Sequence, residues 1–281
     1  MTWHTIGFKP QKKYFEQLMT AGLVPHALLF TGPDMIGKRM LAFDIYALIN
    51  GREFKEGDPD IRVISPRVAE DETKIYIEDI RDLKSFLSLK AYYGPSKFVI
   101  INDADRLTPE ASNALLKVLE EPTPKTVLIL VSSRPRALLP TITSRCQQIS
   151  FLPHSVDEMK EFLADKKISK ADQALLASMA QGRIGWLIWA ADHVKEIRES
   201  VADLTMVLKG GVFERMAYAK KIYEKETYPA TVANWIYWIY GNQSEVPHAG
   251  HLLKELTWLN NLVAQPQYNH RLALENTLLN L

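Results

Sequence analysis

Ala27-Leu28-Leu29-Phe30-Thr31-Gly32-Pro33-Asp34-Met35-Ile36-Gly37-Lys38 is the stretch that decides the fold. Its first five residues form a short continuous apolar run, the pattern of a strand buried on both faces. Residues 32–38 then fit G-x-x-x-x-G-K, and a helical pattern follows from about Gly37 to Asn50, closed by Gly51. In a phosphate-binding loop the glycines let backbone N–H groups turn toward an anion. The N-terminus of the helix adds a positive dipole, and the lysine reaches the outer phosphates. The next residue should be Ser or Thr, whose hydroxyl binds Mg²⁺. Here it is Arg39, which has no acceptor atom and cannot coordinate a cation.

Working outward, the first half of the chain alternates strand and helix signals. Residues 61–64, 98–101, 126–132 and 147–151 read as further strands, while residues 10–21, 77–90 and 109–121 read as helices. Thr108 suits an N-cap and Pro109 the first helical position. Short buried strands separated by helices pair in parallel, with helices covering both sheet faces, so a doubly wound α/β domain is expected over residues 1–152. The strand at 98–101 occupies the Walker B position, where hydrolysis requires Asp for the metal and then Glu to orient water. This chain has Asn102 and Asp103 there. With Arg39, three separate requirements for hydrolysis are degraded, and a site that does not turn over nucleotide is expected.

After Pro153 the strand signals disappear. Ser155-Val156-Asp157-Glu158 is a capping box that opens a helical region. Residues 153–200 read as a small helical lid domain and 201–281 as an all-helical collar for oligomerisation, with Leu252, Leu256, Leu259 and Val263 on one stripe. Trp186/Trp189 and Trp235/Trp238 recur three residues apart, so packing within helices is preferred to base stacking.

Composition narrows the function classes. The 281 residues carry 34 Lys+Arg against 33 Asp+Glu, a net charge of +1, which argues against a stand-alone nucleic-acid-binding module with a broad basic face. Cys146 is the single cysteine, so a disulfide framework and a Cys-rich zinc module are both excluded. The first residues lack the apolar core of a signal peptide, and no apolar run is long enough to span a membrane. A soluble, cytoplasmic protein is expected.

The runs HALLFTGPDMIGK, NDADRLTPEASNALLKVLEEPTP and LPTITSRCQQISF together resemble the clamp-loader branch of the AAA+ ATPases. Thr143-Ser144-Arg145-Cys146 matches that branch's S-R-C motif, and Asn113–Pro122 the helix before it. The resemblance implies a subunit of a heteropentameric ring that opens the sliding clamp and places it on primed DNA. With degenerate Walker motifs beside an intact S-R-C, it implies a subunit that does not hydrolyse ATP. An active motor subunit is the alternative, against which Arg39 and Asn102 stand.

Residue roles follow from the resemblance. Arg145 is expected to be an arginine finger: exposed in the isolated chain, without a buried carboxylate partner, and reaching the ATP site of a neighbouring subunit. Gly32, Gly37, Lys38, Arg39, Asn102 and Asp103 would form a degenerate nucleotide site, taking at most weak ATP, ADP or sulfate. Ser132, at the sensor 1 position, either bonds a γ-phosphate or closes a strand end. Arg183 stands where sensor 2 begins, or only bridges the lid to the α/β domain. Arg81, Lys84 and Lys90 are candidate DNA contacts. The resemblance also implies the four-cysteine zinc module that most clamp-loader subunits of this type carry before the strand at 61–64, but residues 50–60 are too short and lack cysteine, so no zinc is expected.

Overall fold

A computed structural model describes residues 3–69, 72–262 and 268–281, so Val263 lies outside the described residues. The chain divides into two compact units, Met1–Pro153 and His154–Leu281.

In chain order the first unit comprises α1 (Lys9–Ala21), β1 (Ala27–Thr31), α2 (Lys38–Asn50), β2 (Ile61–Ile64), β3 (Arg67–Ala69), β4 (Glu72–Lys74), α3 (Ile77–Arg81) and α4 (Leu83–Ser88). It continues with β5 (Lys97–Ile101), α5 (Pro109–Glu120), β6 (Thr126–Ser132), α6 (Pro140–Thr143) and β7 (Gln147–Ser150). Five strands form one parallel sheet in the order β2-β5-β6-β1-β7. Both faces are covered, which is why the central strands are apolar throughout. Leu29, Val99, Ile101, Leu128 and Leu130 pack toward Ile80, Leu83, Leu115 and Leu119. Leu28, Phe30, Phe98, Ile100 and Ile129 pack toward Phe15, Leu41, Ile45 and Tyr46. The alternate residues of each strand thus serve opposite cores, as the two-residue period of a strand demands.

Two features depart from the sequence reading. The single helix expected over 77–90 is two short helices that meet at Asp82, which closes α3 and opens α4. The exposed antiparallel hairpin β3–β4 lacks an apolar run to announce it, pairing Arg67 with Lys74 and Val68 with Thr73.

The second unit is helical: α7 (Val156–Ala164), α8 (Lys170–Ala180), α9 (Ile184–Asp192), α10 (Val194–Lys209), α11 (Val212–Glu224), α12 (Tyr228–Gly241), α13 (Ala249–Leu262) and α14 (His270–Asn280). Ser155 and Glu158 form the expected capping box at the start of α7. Position 200, where the sequence separates lid from collar, lies inside α10. The carbonyl of Ser200 accepts a hydrogen bond from the indole of the buried Trp235 at 2.6 Å. Helices α8 and α12 approach so closely that a Cβ on Gly241 would sit 2.4 Å from the Ser178 carbonyl oxygen. Trp186 and Trp235 are core residues, whereas Trp189 and Trp258 are exposed.

Candidate functional site

The parallel sheet delivers β1, β5 and β6 to one edge with their C-terminal ends adjacent, the place where open α/β sheets bind ligands. From β1 the chain enters the loop at Gly32, where a φ of +145° and a Cβ that would sit 2.3 Å from the Phe151 carbonyl oxygen both exclude a side chain. Gly37, at φ +104°, turns the chain into α2. Lys38 is only 4% exposed, and its ammonium donates to the carbonyl oxygens of Gly32 at 2.7 Å and Pro33 at 2.5 Å. Burial lowers its pKa, with the charges of Asp34, Asp103 and Asp105 opposing that shift. Arg39 is exposed and lies over the ring of Phe43, 5.5 Å from its centroid, along the surface of α2.

At the end of β5, the Asn102 amide nitrogen lies 3.4 Å from an Asp103 carboxylate oxygen. Asp103 adopts a left-handed conformation, φ +48°. Burial first, and then the charges of Asp34 and Asp105, raise its pKa. Asp105 behaves oppositely. Burial pushes its carboxyl up, but hydrogen bonds from Ser132 and Arg134 and the Arg134 charge outweigh this and hold it low. The Ser132 hydroxyl donates to Asp105 at 2.7 Å, and Arg134 reaches the same carboxylate through Nε at 3.0 Å and a terminal nitrogen at 2.9 Å. The Ser132 proton is therefore held by a carboxylate.

These groups do not fit a working Mg²⁺–nucleotide site. The hydroxyl ligand is an arginine, the Walker B aspartate is an amide, and the lysine bonds its own loop. Asp34, Asp103 and Asp105 all act electrostatically on Lys38, where a polyphosphate would bring further negative charge. Because the fold holds the Asp103 proton more tightly than the unfolded chain does, ionised Asp103 costs stability above its raised pKa. The cost disappears as pH falls through that value. Asp103→Asn, which removes the charge and suits a left-handed residue, should raise the melting temperature at neutral pH by about 2 °C. An unchanged or lower melting temperature in a thermal scan would show that Asp103 carries no such strain.

Arg145 follows α6 and is exposed, with 37% of its side chain accessible. One terminal nitrogen donates to the Thr141 carbonyl at 3.0 Å and the other lies 2.9 Å from the Glu120 carboxylate, which is itself 50% exposed. No buried carboxylate pairs with it among the described residues. Its neighbour Cys146 packs against the sheet core, and burial pushes its thiol pKa up to about 11, away from thiolate chemistry. Arg183 lies in the helical unit and serves it locally. It donates to the carbonyls of Ala180 at 3.0 Å and Met179 at 3.3 Å, and its guanidinium stacks 3.9 Å from the Tyr237 ring centroid. Arg81, Lys84 and Lys90 are all exposed, and Lys84 pairs with Glu121.

The reading of residues 50–60 from sequence missed a buried carboxylate. Asp60 is 0% exposed and accepts N–H bonds from Tyr92 at 2.6 Å, Tyr93 at 2.7 Å and Gly94 at 3.0 Å, with the Lys97 ammonium 3.5 Å away. Nearby Asp58 accepts from Tyr46 at 2.6 Å and faces Arg52 at 3.3 Å. The only signal in the sequence is the pair of aspartates in Asp58-Pro59-Asp60 just before β2, which reads equally well as a turn.

The family described as DNA polymerase III, delta subunit, matches residues 8–155, more than half of the chain. The chain belongs to this family. Its curated relatives include DNA polymerase III subunit delta' of Pseudomonas aeruginosa, 34% identical over 71% of this chain and 65% of that protein. The subunit delta' of Bacillus subtilis is 32% identical over 55% of this chain and 50% of that protein. The chain thus spans about two thirds or less of these relatives' length. A DNA polymerase III gamma subunit-related protein from Thermotoga maritima superposes with a TM-score of 0.63 at 20% identity, covering 94% of this chain and 97% of that one, a likeness of fold. The family match takes in the phosphate loop, Asn102, Asp103 and Arg145, and ends at the start of the helical unit. No helix among the described residues is long and apolar enough to cross a membrane.

Proposed function

We propose that this chain is a clamp-loader subunit of bacterial DNA polymerase III that does not hydrolyse ATP. It supplies Arg145 to the ATP site of a neighbouring subunit and helps to place the sliding clamp on primed DNA. The observation that carries this reading is an exposed Arg145 in a chain whose own nucleotide site has Arg39, Asn102 and Asp103 where metal-binding and water-orienting groups are required. The delta' relatives support it, since the match covers the half of the chain that holds both features. A planar guanidinium with five donors suits the charge that develops on a transferred phosphoryl group.

In this reading the subunit needs no cofactor and no zinc. Backbone N–H groups at Gly37 and Lys38 can hold ATP, ADP or sulfate weakly, because they require no metal. Its partners are the other subunits of a heteropentameric ring, joined through residues 201–281, together with the clamp and primed DNA. Arg81, Lys84 and Lys90 are the candidate DNA contacts, and the place of work is the cytoplasm.

The isolated chain should turn over ATP more slowly than ~0.01 s⁻¹, far below the ~1–10³ s⁻¹ typical of enzymes. Faster release of phosphate that disappears in a Lys38→Ala variant would identify an active motor subunit instead.

A further inference from the structure

We propose that Glu120 is a positioning residue for Arg145, holding the guanidinium ready for a phosphate on the neighbouring subunit; this rests on the trans role of Arg145 given above. Glu120 is the last residue of α5 and Glu121 its C-cap. Two carboxylates at the negative end of a helix dipole are unfavourably placed unless each has a cation. Each has one: Glu121 pairs with Lys84, and Glu120 with Arg145 at 2.9 Å. Glu120 sits on a fixed base, because the two residues before it, Val118 and Leu119, are buried against the sheet.

The consequence is geometric. One terminal nitrogen of Arg145 is tied to the Thr141 carbonyl in the first turn of α6, and the other to the carboxylate at the end of α5. Two anchors on two elements set the plane of the guanidinium, and its Nε–H has no protein partner among the described residues. An ion pair between side chains 37% and 50% exposed is weak, so a doubly charged phosphate can displace the carboxylate. Glu120 therefore orients the arginine without locking it. It reduces the rotamer freedom that a long side chain loses when it engages.

The test uses the reconstituted clamp-loader complex with clamp and primed DNA. ATP turnover is measured for the unaltered chain, Glu120→Gln, Arg145→Ala and the double variant. Glu120→Gln should lower the single-turnover rate at the one ATP site this subunit faces about threefold to tenfold and leave KM for ATP unchanged, because the arginine acts in the transition state. Melting of the free chain should be unaltered. In the Arg145→Ala background, Glu120→Gln should have no further effect, which a merely structural role for Glu120 would not produce. If Arg145→Ala is impaired but Glu120→Gln is normal, faster, or additive with it, the positioning role is wrong. If Arg145→Ala itself is normal, the trans role fails and the positioning role with it.

Discussion

Arg145→Ala in the reconstituted complex is expected to abolish ATP turnover at the one site this subunit faces, while the variant chain folds and assembles. Arginine fingers contribute about 10³–10⁵ in rate by neutralising charge on the transferred phosphoryl group, so the loss at that site should be at least about 10³-fold. Other sites in the ring keep their own arginines, and total turnover should fall by the share of one site. The cost to the free chain is small. Arg145 is exposed, its partner Glu120 is exposed, and such a pair contributes about 0–1 kcal/mol. Arg145→Lys should not rescue, because an ammonium on a flexible stem cannot hold the Thr141 carbonyl, Glu120 and a phosphate in one plane. Single-turnover phosphate release, with melting of the free chain as control, reads both quantities. Normal turnover by the alanine variant would leave the chain a scaffold only.

How much of this was legible beforehand differs from element to element. The three central strands of the sheet could be read because parallel strands with helices on both faces are buried along their length and largely apolar, as at Ala27–Thr31. The hairpin Arg67–Ala69 and Glu72–Lys74 could not, because half of its residues are charged and Arg67, Val68, Glu72 and Thr73 are exposed. The phosphate loop was legible because glycine spacing reports backbone conformation directly, and the positive φ angles at Gly32 and Gly37 follow from it. Side-chain commitments were not. That Ser132 gives its proton to Asp105, or that Arg183 caps α8 against Tyr237, depends on residues 27 and 54 positions away that no local pattern links. The expectation that Arg145 would be exposed came from the S-R-C resemblance, whereas its pairing with Glu120 needed the packing of α5 beside α6.

Asp60→Ala should be the most destabilising single change in residues 50–60. The carboxylate is inaccessible to solvent, and its oxygens accept three consecutive N–H groups, those of Tyr92, Tyr93 and Gly94. Lys97, buried and donating to the Pro59 carbonyl at 2.7 Å, relies on the same carboxylate for its counter-charge. Truncation leaves three amides without their acceptor and a buried ammonium without its counter-charge. Breaking a buried pair in this way costs about 3–5 kcal/mol, which corresponds to roughly 10 °C in melting temperature for a unit of this size. The pH dependence has a definite sign. Burial pushes the Asp60 pKa up, but the backbone hydrogen bonds and the Lys97 charge outweigh it and leave the pKa below the ordinary aspartate value. Its contribution is therefore complete above the unfolded-state pKa and is lost as pH falls through the lower folded value. Near neutral pH the variant should melt well below the unaltered chain, and in acid the two should converge. Asp60→Ala/Lys97→Met, which removes both charges, should recover part of the loss, since the ammonium is then no longer stranded. A variant that melts within about 2 °C of the unaltered chain at pH 7 would show that the 92–97 loop is held by something other than this carboxylate.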